Sequence, residues 1–328
     1  MTEQSFIQRR TAVWNEFSGL VRGNRKNLKK GAVPFIRRFR EITQDLNTAK
    51  AHSFDPVIIE RLNALVNEGN QILYSQRGFP LKSLVNFIVN IFPQKVRLHS
   101  KGILASSLLF YGIAFFFCFM CVNFPGTARE LIPFYQLISV ENMYNPESAS
   151  FLTPRSVTND ADMFGYYIYN NISIAFRIFA GGIFAGFGSL FFLCLNAGLL
   201  GIISGHIIEI GYINTFFPFI IAHSSFELTA IVFSAYAGLL LGYRFFVTNG
   251  LTRGASVKKA GKDALPIIAG SALMLFIAAV IEAFWSSKHF FPMPLRIGAG
   301  AGLWVLLLFY FLFAGREKNP QKRINNAD

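Results

Sequence analysis

Residues 103–123, ILASSLLFYGIAFFFCFMCVN, run for twenty-one positions without a formal charge. About 20 apolar residues in a helix match the hydrocarbon thickness of a bilayer. Backbone N–H and C=O groups find no water there, so such a run must be helical, with its hydrogen bonds closed within the segment. Further apolar runs cover 171–195, 197–212, 222–246, 264–285 and 294–314. The composition agrees: 52% of residues are hydrophobic, 37 are Phe and only 15% are charged, against roughly 25% charged in a soluble domain. The fold class read from this pattern is all-α, a polytopic helical membrane bundle of about six crossings. The run 197–212 is short and either crosses or re-enters.

Charge sets the expected orientation. Residues 1–101 hold 17 Lys and Arg against 7 Asp and Glu, while the remainder nearly balances. Beside a membrane-spanning half, this surplus reads as a cytosolic segment near anionic headgroups rather than as a nucleic-acid surface. The loop 243–263 holds Arg244, Arg253, Lys258, Lys259 and Lys262, and the tail REKNPQKR is also basic. The positive-inside rule places both on the side of the N-terminus, which six crossings satisfy. Both termini are therefore expected on the cytoplasmic side of the membrane. The opening MTEQSFIQRRTAVWNEF has no apolar core and does not read as a secretory leader.

Four regions follow. Residues 1–80 form a cytosolic basic domain of amphipathic helices, with Phe6, Val13, Trp14 and Phe17, then Ile58, Leu62 and Leu65, at helical spacing. Residues 81–101, LKSLVNFIVNIFPQKVRLHSK, resemble an interfacial helix interrupted by Pro93. The bundle occupies 102–315 with an extracytoplasmic loop at 124–170, and 316–328 form a basic cytosolic tail. Pairs such as Gly182/Gly186, Gly201/Gly205 and Gly238/Gly242 let helices approach closely. Cys118, Cys121 and Cys194 all lie in apolar runs and read as filler rather than as a disulfide or redox pair.

Ionisable side chains inside apolar runs are the candidate functional residues. On the six-crossing topology, Arg177, Glu209, His223, Glu227 and Glu282 fall at one depth near the outer surface, with His206 one turn deeper than Glu209. This is the expected intramembrane polar cluster. A structural reading has Arg177 neutralising a carboxylate. A metal or hydrolytic reading uses His206, His223, Glu209 and Glu227 as ligands, although the spacings H-x-x-E and H-x-x-x-E lack the second His of H-E-x-x-H. A proton or ion pathway uses the same carboxylates, yet the first span and the inner halves of the other helices are almost free of ionisable groups. No Walker A loop, dinucleotide fingerprint or G-x-S-x-G elbow is present, so no catalytic residue and no cofactor is expected.

The order of these features resembles the stage II sporulation protein M family over nearly the whole chain. The resemblance rests on Arg10, Trp14 and Phe17 in R-x3-W-x2-F, then FREITQDLNTA, FIVNIFPQKVR, NNISIAFRIFAGGIFAGFGSLFFLCLNAGLLG, HSSFELTAIVFSAYAGLLLG and IAAVIEAFW. Within the family's His-Gly element before a Glu, His223 and Glu227 are kept and Ser224 stands in the Gly position; Glu282 matches a second acidic position. The resemblance implies a non-enzymatic membrane scaffold or recruitment protein of an envelope complex, linked to peptidoglycan remodelling or to a MoxR-type ATPase system. The implied partners are the anionic bilayer and an unidentified envelope protein, with no nucleic acid and with oligomerisation left open. The alternative is an intramembrane metal-dependent enzyme, or an ion- or proton-coupled transporter, centred on Glu227 and Glu282.

Overall fold

A computed structural model describes residues 2–22, 32–75, 81–148, 156–288 and 291–316. The basic tail beyond Arg316 lies outside the described residues. Among these residues every regular element is helical, and the chain divides into two compact units, Met1–Leu84 and Val85–Asp328.

The first unit contains α1 (Glu3–Arg22), α2 (Ala32–Ala51) and α3 (Pro56–Ser75). The spaced apolar residues converge on one core: Phe6, Trp14 and Phe17 from α1, Ile42 and Leu46 from α2, Leu62 and Leu65 from α3. Asp45 is only 6% exposed inside this core. It accepts hydrogen bonds from Arg10 Nε at 2.8 Å and from the Trp14 indole N–H at 2.8 Å. The R-x3-W spacing therefore has a local cause, because residues one turn apart on α1 reach the same carboxylate.

The second unit begins within α4 (Leu81–Asn86), which runs through a π-helical turn at Phe87–Ile91 into α5 (Phe92–Leu98). Leu81, Val85, Val89 and Leu98 are exposed, whereas Phe92 and Val96 are buried against the bundle. Lys95 pairs with Asp263 at 2.7 Å, Gln94 donates to the carbonyl of Gly315 and Arg97 to that of Phe311.

The bundle itself comprises α6 (Ser100–Asn123), α7 (Thr127–Leu131), α8 (Phe134–Tyr144), α9 (Val157–Ala180), α10 (Phe187–Glu209), α11 (Ile213–Phe246), α12 (Arg253–Ile281) and α13 (Met293–Phe313). Among the described residues five helices are long and apolar enough to cross a membrane: Ser100–Asn123, Phe187–Glu209, Ile213–Phe246, Arg253–Ser286 and Met293–Phe313. The bundle has a base, where α6 starts and α11 and α13 end, and a crown, where α6 hands over to α7 and α10 to α11. Helix α9 also runs between them. Asp160 in its first turn pairs with Lys288 at the crown, and the Phe179 carbonyl in its last turn lies against Gly238 toward the base.

Two of the expected runs have different bounds. The stretch 171–195 is not one span: the chain ends α9 at Ala180, makes a 3-10 turn at Gly181–Ile183 and reverses through Ala185 and Gly186, both at positive φ. Residues 197–209 are the second half of α10, a full 23-residue helix and not a short re-entrant piece, and 210–212 form the turn into α11. The glycines explain the reversal. A Cβ on Gly182 would meet the Gly238 backbone at 2.2 Å, and one on Gly242 would meet Gly186 N at 2.3 Å, so the turn is pressed onto α11 where side chains do not fit. Helices α6 and α10 then pack in parallel: a Cβ on Gly201 would meet the Ala114 carbonyl at 2.2 Å, and one on Gly205 would meet the Cys118 carbonyl at 2.6 Å.

Candidate functional site

The expected single cluster resolves into three separate places. At the crown, His206 on α10 is 1% exposed. Its Nε2 lies 2.8 Å from Glu141 Oε1 of α8, and its Nδ1 lies 3.4 Å from Glu209 Oε2. The other oxygen of Glu209 accepts the backbone N–H of Gly126 at 3.2 Å. Thr215 Oγ1 donates to the carbonyl of Tyr144, and the Tyr144 ring meets Phe216 edge-on with centroids 4.9 Å apart. These contacts fasten α7 and α8 to the ends of α10 and α11. Glu141 was not among the sequence candidates, since it falls in the polar stretch 124–170. The signal lay in the amphipathic spacing of Leu137 and Tyr144, both buried on the bundle side of α8.

Inside the bundle, His223, Glu227 and Glu282 come together, each offering one ligand atom, all within 4.8 Å of one another. Helix α11 begins at Ile213, earlier than the expected 222, because INTFFPF joins it. Pro218, the sixth residue, lies inside the helix and removes the N–H that would otherwise bond the Asn214 carbonyl. His223 and Glu227 consequently lie about 15 and 21 Å along the axis from Ile213, deeper than the first turns where the sequence placed them. Their four-residue spacing sets both on one face. Glu282 arrives from α12 at a π-helical turn, Glu282–Ser286. Ser286 Oγ lies 3.0 Å from His223 Nδ1, and the carbonyl of Ser286 accepts from Arg296 Nη2 at 2.7 Å. Arg296, buried near the start of α13, was also missed by sequence; a lone Arg in the apolar run 294–314 was its signal.

Arg177 belongs to neither group. The sequence topology put it at the outer end of a span, level with the carboxylates. The reversal at Gly181–Gly186 instead places it in the last turn of α9, toward the base, where it is exposed and its Nε donates to the Ser173 carbonyl on its own helix at 3.2 Å. The neutralising role expected of Arg177 is therefore corrected. The expected ligand set is divided in the same way, since His206 and Glu209 serve the crown while His223 and Glu227 join Glu282.

A cavity of about 550 Å³ adjoins the inner group, lined by His223, Ser224 and Glu227 together with Ser204, Tyr111 and Cys118. Its walls are mainly apolar, with these few polar groups at one side, the usual build of a small-ligand or ion site. One imidazole and two carboxylates are acceptable donors for a divalent cation, and the same two carboxylates can hold a proton between them. Cys118, Cys121 and Cys194 are free, and Cys121 is buried beside Ala128, Ile132 and Ile202 as packing.

The N-terminal residues 4–75 match the model of a family described as Domain of unknown function (DUF8413). No curated protein and no solved structure matches the chain. Residues 107–287 match the model of Stage II sporulation protein M, which spans the helices that build the crown and the His223 group. That match covers more than half of the sequence, and this multi-pass membrane protein belongs to the stage II sporulation protein M family.

Proposed function

We propose that the chain is a non-enzymatic recruitment scaffold of the bacterial cytoplasmic membrane, with the base on the cytoplasmic side and the crown facing the envelope. The basic residues Arg244, Arg253, Lys258, Lys259 and Lys262 at the base support this orientation. The observation that carries the reading is the crown platform. Helices α7 and α8 are held in place by the His206–Glu141 and Gly126–Glu209 contacts. That arrangement leaves Phe134 69% and Tyr135 71% exposed, beside Leu131. A rigid platform with exposed aromatics costs little entropy to dock, and aromatic anchors dominate protein interfaces. The resemblance of the sequence to its family points to a peptidoglycan-remodelling protein as the partner, and to a MoxR-type ATPase as the cytoplasmic associate of the basic domain.

Cross-linking in native membranes followed by purification tests this. The expected result is an envelope-side partner enriched with the unaltered chain and lost from Phe134→Ala/Tyr135→Ala, but retained with Tyr169→Ala, an exposed aromatic on α9. Equal recovery with all three forms, or no enrichment with any, sinks the reading.

A further inference from the structure

We propose that His223, Glu227 and Glu282 bind one divalent transition-metal cation of zinc's class inside the bundle. Three observations converge on this, and none of them depends on the recruitment reading. The first is the donor set: one imidazole nitrogen and two carboxylates, from two helices, lie within 4.8 Å of one another. Donors on a four-coordinate zinc ion sit at roughly 2.0–2.2 Å from the metal, and hence about 3.4 Å apart. Rotamer adjustments of about an ångström therefore close the set around an ion. Among the described residues no ion pair involves Glu227, although a carboxylate at this depth requires a proton or a cation beside it.

The second observation is the support around the donors. Ser286 Oγ, 3.0 Å from His223 Nδ1, holds the orientation of the ring, as partners of metal-bound histidines do. Glu282 and Ser286 occupy the two ends of a π-helical turn, an irregularity of helices that recurs at functional sites. In this chain it sets both side chains toward α11.

The third observation is access. Three protein ligands leave a coordination position open, and His223 and Glu227 line the 550 Å³ cavity that reaches them. An exchangeable ion needs such a path. The crown group lacks it: His206 is shut between Glu141 and Glu209, and it does not line the cavity.

The test uses the untagged full-length protein in lipid nanodiscs. The protein is stripped with chelator, loaded with Zn²⁺, freed of excess by gel filtration and assayed by mass spectrometry of the metal. The expected result is about one ion retained per chain, with retention lowered tenfold or more in Glu227→Gln and in Glu282→Gln. The crown variant His206→Gln retains the ion. Co²⁺ loaded into the unaltered chain serves as a second readout independent of any variant, giving ligand-field absorption that Zn²⁺ displaces. Retention below about 0.1 ion per chain together with absent Co²⁺ bands overturns the proposal and leaves the two carboxylates as a proton-sharing pair. Retention in Glu227→Gln and Glu282→Gln equal to that of the unaltered chain, or complete loss in His206→Gln, overturns it as well.

Discussion

Replacing Asp45 with alanine removes the carboxylate that joins α1 to α2 in the N-terminal unit. Two losses follow, and the structure separates them. The Trp14 indole N–H, in a residue only 1% exposed, loses its 2.8 Å acceptor. A buried unsatisfied donor costs about 1–3 kcal/mol. The Arg10 Nε–H is shared between both Asp45 oxygens, at 2.8 and 3.0 Å, but the arginine side chain is 27% exposed. Solvent screening holds that contribution to about 0.5–1 kcal/mol. The total is roughly 1.5–4 kcal/mol, which corresponds to about 10- to 700-fold more frequent opening of α1 and α2. Asp45→Asn keeps a carbonyl oxygen for Trp14 and loses only the charge, so its cost is about 1 kcal/mol. Amide hydrogen exchange on the full-length protein in nanodiscs reads both numbers helix by helix. A less than threefold effect of Asp45→Ala, or equal effects of the two substitutions, refutes the assignment of the larger part to the buried indole.

Two further outcomes are expected. Gly238→Ala places a Cβ 2.1 Å from Ser189 Oγ, which is held by its 2.6 Å bond to the Ile178 carbonyl, and 2.8 Å from the Phe179 carbonyl. The overpacking costs about 1–3 kcal/mol, outweighs the helix propensity gained from losing a glycine, and lowers the thermal midpoint in detergent. Gly254→Ala, with nothing within 4 Å, leaves that midpoint unchanged or raised. In the N-terminal unit, Arg38 beside Glu41, with Arg10 and Arg37 close by, holds the Glu41 carboxyl below its ordinary range. A lowered folded value means the stabilisation is present above the unfolded glutamate pKa of about 4.3 and is lost as pH falls through the folded value. Opening of α2 measured by hydrogen exchange therefore rises as the medium is acidified below that range, and Glu41→Gln flattens the dependence.

The membrane helices were legible in the sequence because hydropathy reports burial in lipid directly. The reversal between α9 and α10 was not, because hydropathy does not distinguish an apolar helix from an apolar turn pressed onto another helix. Phe184 at the turn is as apolar as Phe192 within α10, and only the left-handed backbone at Ala185 and Gly186 separates them. That error moved Arg177 from the base to the crown, and the late start expected for α11 joined the His206 and His223 groups into one. The pairing of His223 with Glu227 was readable from helical spacing alone. Glu282 was readable as a candidate, but its arrival beside them depends on how α12 packs against α11. Glu141 and Arg296 were missed for opposite reasons. The first sat in a stretch polar enough to pass for a solvent loop, and the second was a single charge diluted in an apolar run.

The tight turn at Gly181–Gly186 also constrains biogenesis. Helix α9 carries Asn170, Asn171 and Arg177, and it is not among the five helices apolar enough to cross a membrane on their own composition. A translocon that partitions each emerging segment by its own hydrophobicity does not release such a helix into lipid alone. With only a few residues between them, α9 and α10 must leave the channel as one hairpin, after synthesis has passed Glu209. Until then α6 is in the bilayer without the parallel neighbour whose Gly201 and Gly205 it packs against. The order of membrane assembly is thus set by where a glycine-lined corner falls in the chain, and not by the order in which the helices are translated.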